Sequence, residues 1–372
     1  MIGFMVDRLV YIIFALLFVC GTVFDLFFKN KRIKIIVLSI YLLLFFLIGV
    51  LKGQTVGLDT QKYTETYNYV SSLESPMSFL IKKFPEITFY SLMILFGNIL
   101  KLPEICFWIL EYGVICIFLF FTFYKQERSL FKFGVFMCLG FLMMSLSGIR
   151  QAVAISIGTF AIYNFKNHYL NKNYKKYLFY YLFSILALTI HASSIILFLL
   201  PILFLIKWDK KTFAIWVLIF IFVPSILSRI FAFVSSNIYV DYFPYNYSVS
   251  ITFLLTIFLI VLLFFGYREE KFFTKILKII NYSPDGFGDD TNMIIWIVFY
   301  GLIFLSTNVF SLVIPRYSMF LYIGTIDLLF LLITGFKNKK MNYSVEIITM
   351  SFFAVYFVIR ASTLGIVPYV FR

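Results

Sequence analysis

Charge is scarce in this sequence. Only 13% of its 372 residues are Asp, Glu, Lys or Arg, about half the share of a soluble chain. Histidine is rarer still, with only His168 and His191. None of the four cysteines (Cys20, Cys106, Cys116 and Cys138) belongs to a CxxC pair. Neither a zinc site nor a disulfide framework is therefore spelled out. All four lie in or beside apolar runs, where small packing residues fit. No Gly/Ser linker or low-complexity tract divides the chain, and the longest hydrophilic stretch covers residues 52–86. These absences exclude a soluble enzyme, a disordered protein, a disulfide scaffold and a soluble domain on one anchor.

Apolar residues fill the space, at 62% hydrophobic and 22% aromatic. At about 20 residues per transmembrane helix, roughly 230 apolar residues suit about ten to twelve spans. The runs lie near 9–28, 35–51, 105–124, 131–149, 151–165, 177–190, 193–206, 213–234, 250–266, 293–312, 317–336 and 343–359. They predict an all-α, polytopic membrane protein of twelve helices in a single domain, 1–372. Runs 131–165 and 177–206 are each interrupted by one polar residue, Arg150 or His191. A charge at mid-bilayer is costly, so each is expected at a membrane face where a hairpin turns. No cleavable signal peptide is expected, because the first run ends in the stop signal Lys29-Asn-Lys-Arg-Ile-Lys34.

The net charge of +14 is mostly a matter of orientation. Loops 29–34, 125–132, 166–176, 207–211, 267–278 and 337–340 hold 21 of the 32 Lys and Arg residues. Cytoplasmic placement of these loops satisfies the positive-inside rule, and no nucleic-acid partner is needed to explain them. Both termini are then external, as are the loops 52–104 and 235–249. The apolar segment 87–100 is short, and spanning would invert every later loop. It reads as a re-entrant or interfacial helix on the external side. His168 falls in a cytoplasmic loop as a solvated residue. The loop Asp285-Gly-Phe-Gly-Asp-Asp290 lacks the ordered ligand spacing of a calcium site. The acids Glu111 and Asp327 lie in predicted spans.

What remains is a small external set. Arg150, Arg229 and Arg316 come from three separate helices. Arginine at membrane depth either snorkels to headgroups or faces a cavity or partner. A guanidinium grips phosphate oxygens in a fork, so three arginines in one leaflet suit a diphosphate. Arg360 and Arg372 fit headgroup snorkelling. His191, in Leu-Thr-Ile-His-Ala-Ser-Ser between two apolar helices, is a candidate proton relay or phosphate holder, or else an N-cap or an interhelical hydrogen bond. In a helix Asp59, Tyr63 and Tyr67 share one face. Such a face suits sugars, while Asp59 also suits an ordinary N-cap. Asp241, in the second acid-and-tyrosine loop, and Gln151, beside Arg150, complete the candidates for sugar contact.

Four features together resemble the EpsG-like branch of the Wzy-type polysaccharide polymerases. They are Gly57-x-Asp59-x-x-x-Tyr63-x-x-x-Tyr67, Gly148-Ile-Arg150-Gln151-Ala-Val-Ala154, His191-Ala-Ser-Ser194 and Pro315-Arg316-Tyr317, in that order. The resemblance implies a glycosyltransferase of O-antigen, capsule or exopolysaccharide assembly in the bacterial inner membrane. Its substrates would be repeat units on undecaprenyl diphosphate, with the growing glycan passed to the non-reducing end of a new unit. It implies no metal or other cofactor; membrane lipid and a chain-length regulator are the implied partners. Arg150, Arg316 and Arg229 would support the diphosphate, and His191 or Asp59 would serve the acceptor hydroxyl. A flippase for the same lipid-linked sugar and an O-antigen ligase-like transferase are the competing readings.

Overall fold

The computed structural model describes residues 8–166, 174–204, 319–334, 339–361, 366 and 369–370. The described residues are helical and contain no strand. The predicted spans 213–234, 250–266 and 293–312 lie outside them, as do the loop 235–249, Arg229, Asp241 and Arg316. The chain forms two compact units, Met1–Ile195 with Lys340–Arg372, and Ile196–Lys339.

The first unit begins with a hairpin of α1 (Leu9–Phe27) and α2 (Lys31–Val50). The Asn30 side chain caps α2 by accepting from the Arg32 amide at 2.9 Å. Three short helices follow: α3 (Thr60–Ser71), α4 (Pro76–Ile81) and α5 (Ile87–Met93), the last continuing as a π turn over Ile94–Ile99. The stretch Ile87–Ile99 is helical, as read from the sequence. At 1.5 Å per residue it is about 20 Å long, short of the roughly 30 Å hydrocarbon core.

Next comes α6 (Glu104–Phe123), opened by Pro103 with Glu104 in its first turn, a good place for an acid. Then α7 (Ser129–Phe136) and α8 (Leu142–Ser147) join through a π turn over Met137–Phe141. Gly148 ends that run and α9 (Ile149–Lys166) begins at once, so the apolar run 131–165 breaks beside Arg150. The helix α10 (Tyr174–Leu188) leads to a 3₁₀ turn, Ala192–Ile195, and His191 sits between the two. In the second unit α11 (Ile196–Phe204) and α12 (Tyr322–Thr334) are described. The chain then returns to the first unit with α13 (Lys339–Arg360).

Five helical stretches among the described residues are long and apolar enough to cross a membrane. They are Leu9–Phe27, Lys31–Val50, Glu104–Phe123, Ser129–Ser147 and Asn342–Arg360.

One end of the first unit is tied by ion pairs. The Asp25 carboxylate accepts from the Leu130 and Phe131 amides at 2.9 and 3.4 Å, at the N-terminus of α7. There it meets the positive end of the helix dipole. Lys34 pairs with the same carboxylate at 2.5 Å, and Arg128 reaches both the Asp25 carbonyl (2.6 Å) and the buried Glu346 of α13 (3.4 Å). Residues of the basic loops 29–34 and 125–132 thus gather at one end, beside the first turns of α13.

The other end is tied by the last residues. Tyr11 donates to the Ile366 carbonyl, Tyr369 to the Ile48 carbonyl, and the Gly53 amide to the Val370 carbonyl at 2.6 Å. The segment 52–104 leaves α2 at this end.

Candidate functional site

The site grows from two glycines that let two motifs touch. Gly57 has φ +90°, and a Cβ there would stand 2.3 Å from the Leu146 carbonyl oxygen. Only glycine takes that conformation and that approach without strain. The Leu58 amide then donates to Ser147 Oγ at 3.1 Å. The buried Lys52 ammonium donates to Leu146 O and Thr60 Oγ1, at 2.6 and 3.0 Å, under the face of Trp108. A Cβ on Gly148 would lie 3.8 Å from an Asp59 carboxylate oxygen. Asp59 therefore stands beside the turn that carries Arg150. It occupies the N-cap position of α3 without making a side-chain capping hydrogen bond.

Arg150 projects from the first turn of α9 into a ring of aromatic and acidic groups. Its Nη1 donates to Glu86 Oε2 and, at 2.8 Å, to the Tyr90 hydroxyl; its Nε donates to the Tyr63 hydroxyl at 3.3 Å. The guanidinium carbon lies 5.4, 5.7 and 5.5 Å from the ring centroids of Tyr63, Phe89 and Tyr90. Such contacts suit a guanidinium better than an ammonium. The Arg150 side chain keeps 22% exposure and the Glu86 side chain 18%, so the pair borders open space. Burial pushes the Tyr63 phenol up to about 12, against the lowering pull of Arg150. Tyr63 is therefore a neutral hydroxyl at physiological pH.

Glu86 joins this ring to the histidine turn. Its other oxygen, Oε1, accepts from the Ala192 amide at 3.2 Å. The Thr88 amide donates to the Thr189 carbonyl at 2.9 Å, and the two threonine hydroxyls meet at 2.8 Å. Within the turn, His191 Nδ1 accepts from the Ser193 amide at 3.1 Å and lies 2.8 Å from Ser193 Oγ. An Nδ1 that accepts from a backbone N–H places the proton of the neutral ring on Nε2. In that tautomer His191 offers a donor at Nε2 and no free lone pair there. It suits holding an oxyanion better than accepting a proton.

The structure thus brings Asp59, Tyr63, Arg150 and the His191 turn to one place. Tyr67 sits one turn beyond Tyr63, donating to the Leu102 carbonyl at 3.0 Å with its ring 5.8 Å from Phe107. It is buried in the packing beneath the site. Gln151 is also buried. Among the described residues no group of three or more His, Cys, Asp or Glu is placed to hold a metal.

Glu86 is the member of the site that sequence reasoning misses. It lies in Lys82-Lys-Phe-Pro-Glu86, a short polar stretch that resembles any loop. The only signal was its position, just before the apolar segment 87–100.

The model of the EpsG family matches residues 34–371. No curated protein and no solved structure matches the chain.

Proposed function

We propose that this chain, which belongs to the EpsG family and so to the membrane proteins of polysaccharide biosynthesis, polymerises oligosaccharide repeat units carried on undecaprenyl diphosphate. The growing glycan leaves its lipid diphosphate and joins the non-reducing end of a new unit. The reaction takes place on the external face of the inner membrane, in a protein of about twelve spans with both termini external.

The observation that carries this reading is the setting of Arg150. An always-charged fork stands at the edge of open space, oriented by Glu86, Tyr63 and Tyr90. The basic-loop residues gather at the opposite end of the same unit. Cleaving a sugar–diphosphate bond builds oxocarbenium character on the sugar and negative charge on phosphate. A preoriented cation in a site of low dielectric stabilises that charge as it forms.

In this mechanism Arg150 holds the leaving diphosphate, with Arg316 and Arg229 as further members of the clamp. His191 donates from Nε2 to a phosphate or sugar oxygen. Asp59, beside the Gly148 turn, is the carboxylate that takes the acceptor hydroxyl's proton. Tyr63 and Asp241 belong to the sugar-binding side, with Tyr67 and Gln151 buried behind it as packing.

The test is genetic and chemical together. Cells lacking this chain should accumulate single repeat units on the final acceptor, and restoring it should restore a ladder of chain lengths. Complete loss of repeat units from the acceptor would point to a flippase or ligase and overturn the reading.

A further inference from the structure

Lys83 is a partly buried cation of a particular kind. Its ammonium lies 5.0 Å from the ring centroid of Phe79 and 5.0 Å from that of Tyr90. Among the described residues, no carboxylate or hydrogen-bond acceptor pairs with it directly. Burial, with repulsion from Arg150 and Lys62, lowers its proton affinity, and Glu86 offsets that only in part. Glu86 is already committed, one oxygen to Arg150 and the other to the Ala192 amide. Two cations, Arg150 and Lys83, therefore share the ring of Tyr90 beside an acid that is already committed. A half-buried ammonium without a protein acceptor gains more from an arriving anion than one in open water does.

Geometry bounds the span of the anion. Arg150 and Lys83 both lie against the ring of Tyr90, at 5.5 and 5.0 Å from its centroid. Their charges are at most about 10.5 Å apart, the sum of those distances. Two linked phosphates, with a charge-assisted hydrogen bond of about 2.8 Å at each end, bridge such a gap.

We propose that Lys83 is the second phosphate ligand of this site, so that Arg150 takes one phosphate of a diphosphate and Lys83 the other, across the edge of Tyr90. This rests on the reading of Arg150 as a diphosphate-binding residue. It adds a residue from the segment 52–104 to a clamp otherwise built from helix-borne arginines. It also divides the labour: Arg150 grips with a rigid fork, while Lys83 is a point charge on a flexible stem.

The full-length protein in zwitterionic nanodiscs, titrated with farnesyl diphosphate, tests this. Lys83→Met keeps the stem and removes the charge. It should weaken binding tenfold or more with an unchanged melting temperature, while Lys83→Arg stays within about threefold of the parent. Farnesyl monophosphate, which needs one cation only, should lose less than the diphosphate in Lys83→Met. Equal diphosphate affinity in Lys83→Met and the parent, with binding lost in Arg150→Met, would overturn the role of Lys83 and leave the wider reading standing. No effect of either substitution, or no binding by the parent, would overturn both. Vesicles of phosphatidylglycerol form the last arm. If Lys83→Met weakens attachment to them by the same factor as it weakens diphosphate binding, Lys83 serves a lipid headgroup and the proposal fails.

Discussion

Arg150 and Glu86, 64 residues apart in sequence, form an ion pair in which each partner has a second task. Arg150 also donates to two tyrosine hydroxyls, and Glu86 also receives an amide from the histidine turn. The pair is therefore a junction of four elements, and the arginine that it orients still borders open space.

Arg150→Ala should abolish polymer at normal protein levels, a loss of at least about 100-fold, as for other preoriented charge-stabilising donors. Arg150→Lys should recover part of it, because the ammonium keeps the charge and loses the fork. The measurement is the ladder of chain lengths on a gel, with an immunoblot for protein. A normal ladder from the alanine variant would remove Arg150 from the site.

Removing the Glu86 carboxylate should separate orientation from stability. The pair is partly solvent-facing, so Glu86→Gln should cost about 1 kcal/mol or less in thermal unfolding. Polymer output should fall much further, since the amide has one acceptor oxygen and can no longer hold both the fork and the histidine turn. Turnover equal to the parent's in Glu86→Gln would make the pair merely structural.

His191 should behave as a donor. His191→Gln keeps an N–H donor and should retain substantial activity, whereas His191→Ala should lose most of it. Equal loss in both variants, together with a rate that follows ionisation of a single group near pH 6.5 in the parent alone, would restore a proton-accepting role.

Gly57 and Gly113 should respond in opposite ways to alanine. At Gly57 the φ is positive, and an added Cβ would fall 2.3 Å from the Leu146 carbonyl oxygen, which leaves no room. Gly57→Ala should destabilise the fold by about 1–3 kcal/mol and dislodge the turn beside Arg150. Gly113, inside α6, meets nothing within 4 Å of its Cβ position. Gly113→Ala should be neutral or stabilising by up to about 1 kcal/mol. Melting temperatures of the two variants in the same detergent decide it.

The Tyr63 phenol gives a pH signature. Its value in the folded chain, about 12, lies above the ordinary 10.0. The folded state thus holds the phenolic proton more tightly than the unfolded state does. The stability this provides is complete below pH 10 and is lost as pH rises through 12. Alkaline melting curves of the parent should fall through that window more steeply than those of Tyr63→Phe.

Much of this architecture was legible because hydropathy and charge report on each residue singly. The run ending at Phe27, the turn at Arg150 and the turn at His191 all fall where apolar periodicity breaks. The helix carrying Tyr63 and Tyr67 was legible too, from i, i+4 spacing. Spacing did not reveal that the two tyrosines part company. One turn of rise is about 5.4 Å, enough for Tyr63 to meet Arg150 while Tyr67 meets Leu102. Glu86 and Lys83 were illegible for a different reason. The meaning of Glu86 lies in contacts with Arg150 and Ala192, and that of Lys83 in the rings of Phe79 and Tyr90, none of which a local pattern encodes. Arg229, Arg316 and Asp241 lie outside the described residues.

The ion pair between Arg128 and Glu346 sets an order of events in the making of the protein. The first unit is discontinuous, with Lys340–Arg372 completing Met1–Ile195. A ribosome must therefore deliver all of Ile196–Lys339 before α13 can reach Arg128. Until then the early helices wait with an arginine and an aromatic face that have not met their final neighbours, and closing so long a loop is a slow, late step. The C-terminal helix is in this sense the clasp of the first unit, fastened last.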